Sequence, residues 1–151
     1  MARDGGDDLL QPVLADREQP GTTSRRPWRL SSQVYVALLG GPLAILAIAT
    51  LNARRLRLPL SAQAGIVAAA LVAEAVVVVL ARSADLADSA RLISAAAGVA
   101  AYGVAFLIQR SADRVFNYHA DDDEPYTSLF GAGAAAVIAA RAIDVTLWWP
   151  T

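Results

Sequence analysis

The sequence predicts an all-α integral membrane protein, a bundle of four membrane-spanning helices preceded by a disordered N-terminal tail. Hydrophobic residues make up 56% of the chain, and its mean hydropathy is +0.41. These residues are gathered into long blocks, and the charges, which sum to -1, lie almost entirely between them. A soluble domain would instead alternate apolar and polar residues. We expect a tail over 1–30, a membrane domain over 31–151, and spans at about 33–51, 62–80, 92–109 and 129–149.

The composition excludes several classes of protein. The absence of cysteine excludes disulfides, thiolate metal sites and cysteine nucleophiles. No basic patch is large enough to hold nucleic acid. The single histidine lies in a loop without a nucleophile motif, and Gly131 and Gly133 have no following lysine to form a phosphate-binding loop. The chain is therefore predicted not to be an enzyme and to use no cofactor.

The N-terminal tail is polar, acidic and interrupted by three prolines, so it cannot bury enough apolar surface to fold by itself. A short helix over 9–14, with its leucines and a valine on one face, is the alternative. About thirty residues precede the first apolar block, which is unlike a cleaved secretory signal, so the first span should be retained. An interfacial anchor is predicted just before it, formed by Arg25, Arg26, Trp28 and Arg29.

The first span, 33–51, contains Gly40, Gly41 and Pro42 near its middle. Proline removes a backbone hydrogen bond, and glycines let a neighbouring helix approach closely. This triplet predicts a kink or a tight helix crossing. A short basic turn over 52–59 then leads into the second span.

The second span, 62–80, is interrupted by a single carboxylate, Glu74. Nineteen residues make roughly 28 Å of helix, which is close to the ~30 Å hydrocarbon core of a bilayer. A charged side chain at the centre of such a span costs on the order of 3 kcal/mol. We therefore expect Glu74 to face protein, a partner charge or a water-filled cavity.

The third span, 92–109, is dominated by alanine and glycine, and its small residues recur at a spacing of four. This spacing suits close helix packing, which places the span inside the bundle. The expected packing glycines outside the first span are Gly98, Gly103, Gly131 and Gly133. The loop over 110–128 follows, and its first part has the pattern of an interfacial helix.

The fourth span, 129–149, ends in Trp148 and Trp149, which are typical of the aromatic belt at a membrane surface. Arg141 is the thirteenth residue of this span, as Glu74 is of the second. Because both spans would start on the same side, the two charges should lie at about the same depth.

Two interpretations of these charges remain open. In the functional one, Glu74 exchanges a proton or binds a cation, Arg141 tunes its affinity, and Asp144 holds the guanidinium from one turn away. In the structural one, Arg141 and Asp144 pair locally and reach towards the tryptophans, while Glu74 is neutral or ties the bundle together.

The acidic loop after His119 contains weak candidates for a metal site. His119, Asp121 and Asp123 offer imidazole and carboxylate ligands, which suit divalent cations. The spacing matches no calcium loop, and consecutive acids point in different directions. A solvated acidic loop is the preferred interpretation.

Two stretches resemble a known group of proteins. Residues 40–44 read Gly-Gly-Pro-Leu-Ala, and His119 is followed by Tyr126-Thr127 before the last span. The chain resembles small, uncharacterised bacterial four-span membrane proteins, which carry the same pentapeptide in the first helix and a His, then Tyr-Ser, before the last. Thr127 stands where those proteins have serine. The resemblance implies the four-span topology and brings no function with it.

The bacterial cytoplasmic (inner) membrane is the predicted location. Every basic residue is arginine and alanine is abundant, which indicates a GC-rich bacterial genome. Four crossings would leave five arginines near the spans on each side, so the arginines do not set the orientation. Arg17 and the cost of translocating the long tail favour two cytoplasmic termini.

Two functional hypotheses follow. The leading one is a structural or accessory subunit of a membrane complex or homo-oligomer, with the lipid bilayer, other membrane subunits or further copies of itself as partners. The alternative is a small proton- or cation-coupled transporter that resembles four-span multidrug exporters in size and in its membrane carboxylate. It differs from them because its acid is in the second span and because it has a long tail.

Overall fold

The computed structural model describes residues 26–83, 89–119 and 126–148, and it is all-helical. A short 3-10 turn, Leu30–Ser32, leads into four helices. They are α1 (Gln33–Arg55), α2 (Leu60–Ser83), α3 (Ala90–His119) and α4 (Phe130–Trp148). The tail before residue 26, with Arg25, lies outside the described residues, as do Asp121, Asp123 and Trp149.

By length and composition, three stretches of these described residues could cross a membrane: Leu30–Arg55, Leu60–Arg82 and Ala90–Tyr118. The helical fold class is therefore confirmed, and the apolar helices are compatible with a membrane protein. The third helix is longer than expected, since α3 continues through the predicted interfacial segment to His119.

Helix α1 reverses its direction at Gly41. This residue has φ 68° and ψ -162°, a backbone conformation that breaks the helix, and Pro42 follows it. Two arms result, over residues 33–40 and 42–55, and we call them together the hairpin. The Gly-Gly-Pro triplet does produce the predicted kink, but the kink is a full reversal of the chain.

A hydrogen bond between the chain just before α1 and the last turn of α1 demonstrates this reversal. The Trp28 N–H donates to Asn52 Oδ1 at 2.7 Å. In a straight helix, residues 33 and 52 would lie about 28 Å apart, and the five residues from 28 to 33 reach at most about 18 Å. The bond can form only because the second arm returns to the level at which the first begins.

The hairpin occupies the centre of the bundle. It packs against α2, α3 and α4, whereas α4 has its extensive contacts with the hairpin alone among the described elements. The side facing α2 and α3 buries mainly alanines around Ile45 and Ile66. The side facing α4 buries Val36, Ile48 and Leu129. The first arm runs parallel to α4, and the second runs parallel to α3.

The path of the chain differs from four straight crossings. The predicted span 33–51 enters and leaves at the same end of the bundle, which we call the base, because glycine permits the backbone reversal at residue 41. Helices α2, α3 and α4 then each run the length of the bundle. The described chain therefore begins at the base and ends at the opposite end, whereas two termini on one side were expected.

We predict that Gly41→Ala destabilises the fold by about 1–3 kcal/mol, because an L residue is strained at this φ and ψ. A Cβ there would also collide with Ser94 Oγ. The matched control is Gly103→Ala, whose Cβ would meet no heavy atom within 4 Å. The measurement is thermal unfolding in mild detergent. Equal unfolding temperatures for the two variants would contradict the reversal.

Candidate functional site

The apex of the hairpin, Gly40 to Pro42, is pressed between α3 and α4. A Cβ on Gly98 of α3 would collide with the Ala37 carbonyl oxygen and come within 2.8 Å of the Gly41 Cα. On the other side, a Cβ on Gly40 would lie 3.1 Å from Val137 Cγ2 of α4. At Gly98 the backbone of the hairpin occupies the space of a side chain, and at Gly40 the side chains of Ala44 and Val137 do, so glycine is needed at both positions.

Arg141 holds the end of the first arm. Its Nε donates to the Leu39 carbonyl oxygen at 2.9 Å, and its Nη1 donates to Asp144 Oδ2 at 3.2 Å. The last carbonyls of a helix have no partner within that helix. A guanidinium suits this position because it satisfies such a carbonyl and a carboxylate at once. The Arg141–Asp144 ion pair is therefore part of the support of the hairpin.

Glu74 lies near this pair but is not bonded to it. Its residue surface is 8% exposed, and its Oε1 is buried without a hydrogen-bond partner. Asp144 and Arg141 are both within electrostatic range of its carboxyl group. Within the described residues, Arg141 forms an ion pair with Asp144 and none with Glu74. Glu74 and Arg141 do lie near each other, as their predicted equal depth indicates, but Arg141 pairs with Asp144.

Ser94 is a second buried polar group at the apex. It is 1% exposed, lies against Gly41, and its Oγ has no hydrogen-bond partner among the described residues. A buried polar atom without a partner costs about 1–3 kcal/mol, so two such atoms at one end of a small bundle need an explanation. Among the described residues, the buried side-chain atoms without a partner are Gln33 Nε2 and Thr50 Oγ1 on the hairpin itself, and Glu74 Oε1 and Ser94 Oγ beside its apex.

The base of the hairpin contains a fully bonded polar chain. Asn52 accepts from Trp28 N–H through Oδ1 and donates through Nδ2 to Gln109 Oε1 at 2.9 Å. Gln109 Nε2 then donates to the Ala49 carbonyl oxygen at 2.9 Å. Both amide residues are 0% exposed. This base network joins the entry of the chain, the second arm and α3.

A second set of contacts joins the same end to α4. Thr127 N–H donates to the Pro27 carbonyl oxygen at 3.1 Å, and Thr127 Oγ1 donates to the Arg26 carbonyl oxygen at 2.6 Å. Tyr126 OH donates to Asp113 Oδ1 at 3.1 Å. Burial, together with the Asp113 carboxylate, raises the pKa of the Tyr126 phenol, so the phenol is a hydrogen-bond donor at neutral pH.

The predicted interface anchors differ in their exposure and in the end of the bundle at which they lie. Trp28 is 3% exposed, and the Arg55 guanidinium stacks 3.6 Å from its ring centroid, so the indole packs inside the bundle. Arg26 and Arg29 are exposed at the base. Trp148 is the last residue of α4, at the other end.

The predicted packing glycines also divide. Gly133 is a close approach, since a Cβ there would lie 3.0 Å from Val36 Cγ2. A Cβ on Gly103 or Gly131 would meet nothing within 4 Å. Within the described part of the chain, no group of three or more acidic or histidine residues could hold a metal ion, and the acids beside His119 fall outside that part.

Asn52, Gln109 and Ser94 are not among the site residues that the sequence predicts. Asn52 and Gln109 lie near arginines at the ends of predicted spans, a position typical of a span boundary. Their amide side chains at the edges of apolar blocks were the available signal for an internal polar network.

No family model matches this sequence, and comparison with curated proteins and with solved structures gives no significant match.

We predict that Asn52→Leu and Gln109→Leu each lower the free energy of unfolding by about 2 kcal/mol, because each leaves the other amide buried and unpaired. The double variant should lose less than the sum of the two, since it removes both partners together. Unfolding in detergent is the measurement. Asn117→Leu, at an exposed position on α3, is the control and should have little effect. Strict additivity would contradict a coupled network.

Proposed function

We propose that this chain is a bacterial inner-membrane protein in which α2 and α3 cross the bilayer together with α4, whose 19 residues make roughly 28 Å of helix. The stretch Leu30–Arg55 is long and apolar enough to cross, but it is broken at Gly41, so the hairpin enters and leaves on one side. The exposed faces of the helices support this proposal. On α2 alone, Leu71, Val72, Val76 and Val79 are 50%, 64%, 48% and 62% exposed. Water-soluble proteins rarely leave such continuous apolar surfaces uncovered, and lipid would cover them.

The hairpin changes the distribution of arginines between the two sides. With three crossings, seven of the described arginines flank the helices on the base side, and Arg82 and Arg91 are the described ones on the other. The seven are Arg26, Arg29, Arg54, Arg55, Arg57, Arg110 and Arg114. Cytoplasmic segments near membrane helices carry an excess of basic residues. We therefore assign the base to the cytoplasm and the end of α4 to the opposite side.

Single-cysteine labelling tests this topology in a chain that has no cysteine. The variants are Ser31→Cys and Arg57→Cys at the two ends of the hairpin and Arg82→Cys at the end of α2. In intact cells, a membrane-impermeant maleimide should label only Arg82→Cys. The other two should react after the cells are permeabilised. Labelling of Ser31→Cys and Arg57→Cys from opposite sides would contradict the hairpin.

Within this topology, Glu74 is the group that we assign to function, as a site that binds and releases a proton or a small cation during coupled transport. One observation carries this assignment: Arg141 is engaged by Leu39 and Asp144, and Glu74 Oε1 has no partner. An ionisable group is costly inside a membrane and is kept for a reason. Of the charged residues at membrane depth that the structure describes, Arg141 and Asp144 bond to each other and to the hairpin, and Glu74 is the one whose buried oxygen has no partner.

The broken helix beside Glu74 supports the same class of function. Irregular backbone at membrane depth is tolerated where protein or a water-filled cavity satisfies it, and many transporters bind ions and substrates at such breaks. Because Glu74 Oε1 has no hydrogen-bond partner, the Glu74 carboxyl group can gain or lose a proton while Arg141 stays bonded to the hairpin. We therefore favour the coupled transporter over the accessory subunit, which the sequence alone favours.

The accessory-subunit or homo-oligomer hypothesis remains as the second candidate, supported by the outer face of α4. This helix packs chiefly against the hairpin, and its outward residues include Gly131, Ala135, Ala139 and Ala142, all exposed. Small residues at this spacing favour close contact with another membrane helix. In that case a neighbouring subunit would supply the partner for Glu74.

Glu74→Gln separates the two hypotheses, because it removes the exchangeable proton and preserves the shape of the side chain. In proteoliposomes under an imposed pH or sodium gradient, we expect the ion flux to fall to the level of protein-free liposomes. Infrared difference spectra between acidic and alkaline buffer should lose one carboxyl band. Glu124→Gln, which precedes α4 in the sequence, is the matched control and should retain the flux and the carboxyl band that Glu74→Gln loses.

An unchanged flux and infrared spectrum in Glu74→Gln would overturn the transport proposal. A change of oligomeric size or loss of a co-purifying subunit in the same variant, with no flux in the native protein, would support the accessory-subunit hypothesis. Thermal unfolding of Glu74→Gln shows whether the variant is folded, so loss of flux is not confused with loss of structure.

A further inference from the structure

An apolar groove of about 710 Å³ runs between the first arm of the hairpin and α4. Its walls include Tyr35, Leu39, Phe130 and Ile138, which are 68%, 60%, 86% and 70% exposed. The groove starts at the base, beside Ser32 and Thr127, and extends to Val137 and Ile138 near the apex. From residue 130 to residue 138 the wall formed by α4 is roughly 12 Å long at the rise of a helix, so the groove is elongated along that helix.

The opening of the groove is polar and carries positive charge. Arg29 lies beside this opening rather than in its lining: its carbonyl oxygen accepts from the Ser32 N–H at 3.1 Å, and its exposed guanidinium lies 5.7 Å from the ring centroid of Tyr126, within electrostatic range of Asp113. Ser128 Oγ, which accepts from the Phe130 N–H, marks the start of α4. The positive end of the α4 dipole adds to the charge of Arg29 at the same place.

We propose that this groove binds one acyl chain of an anionic phospholipid of the cytoplasmic leaflet, with the lipid phosphate beside Arg29. The charge order matches such a molecule: a cationic opening at the base, then an apolar channel along the membrane normal. The base is the side that the arginines assign to the cytoplasm, where anionic lipids attract basic groups at the membrane surface. A guanidinium is also well suited to a phosphate.

We assign a lipid as the occupant because the groove is open to the surroundings of the helices, which are lipid in the proposed membrane location. A second copy of this chain or the segment before residue 26 could also reach an open groove, and either would give a different product in a cross-linking experiment. The proposal rests on the membrane location of the chain. It does not depend on Glu74, so it can fail while the transport proposal holds.

The first test measures lipid selectivity. Protein is reconstituted into nanodiscs containing phosphatidylglycerol and phosphatidylcholine, extracted in mild detergent, and analysed for retained lipid by mass spectrometry. The native chain should retain phosphatidylglycerol preferentially. Arg29→Gln should lower this preference about fivefold, the value of one favourable charge at a membrane surface. Arg54→Gln removes an exposed arginine at the same end and away from the groove, and should keep the preference.

The second test fills the groove. Ala134 lines it, whereas the neighbouring exposed Ala135 does not. Ala134→Phe should abolish retention of the lipid, and Ala135→Phe should leave it unchanged. Both substitutions add the same side chain to the same helix, so a difference in lipid retention between the two variants shows that the lipid lies in the groove. Equal retention by these two variants, or equal losses in Arg29→Gln and Arg54→Gln, would overturn the proposal.

A photo-reactive residue at position 138 identifies the occupant directly. Ile138→benzoyl-phenylalanine should give an adduct with the mass of phosphatidylglycerol in the nanodiscs. Cross-links to residues before 26 or to a second copy of the chain would overturn the lipid assignment and name the occupant instead. Glu74→Gln should give the same lipid adduct as the native residue.

Discussion

The hydrogen bond from the Trp28 backbone to Asn52 is the interaction on which the architecture depends. A chain that turns back on itself among apolar helices must satisfy the backbone groups that the turn releases. The Asn52–Gln109 network does this at the base, and Arg141 does it at the apex. The two ends of the hairpin are thus fixed by amides and by one guanidinium, while small side chains let α2, α3 and α4 close around it.

This arrangement separates the polar groups by purpose. The Asn52 and Gln109 amides at the base and the Arg141–Asp144 pair hold segments together through their hydrogen bonds, whereas Gln33 Nε2 and Thr50 Oγ1 on the hairpin are buried without a partner among the described residues. Glu74 and Ser94 are buried at the apex with unpaired oxygens. Chemistry that involves protons or cations needs a group whose change of state leaves the scaffold intact. The division between bonded and unbonded polar residues is what directs attention to Glu74.

The helices were predictable from hydrophobic blocks, but the path of the first one was not. Gly-Gly-Pro indicates a break, whereas the angle of that break depends on contacts with Ser94, Gly98 and Val137 that sequence spacing does not reveal. The same holds for Arg141. Its depth relative to Glu74 followed from counting residues, but its true acceptor, the Leu39 carbonyl, is exposed only when the helix ends there. An even count of crossings gave balanced arginines, and the reversal makes them strongly unequal.

The bond between Arg141 and Leu39 joins residues 102 positions apart in the chain. Thr127 and Arg26, at the base, are separated by 101 positions. During synthesis the hairpin therefore leaves the ribosome long before the segment that caps it. Until α4 has been synthesised, the Leu39 carbonyl lacks its Arg141 donor and has to be hydrogen-bonded by water or by another protein. Completion of the hairpin consequently waits for α4, and a chain truncated before residue 141 would leave the apex without its cap.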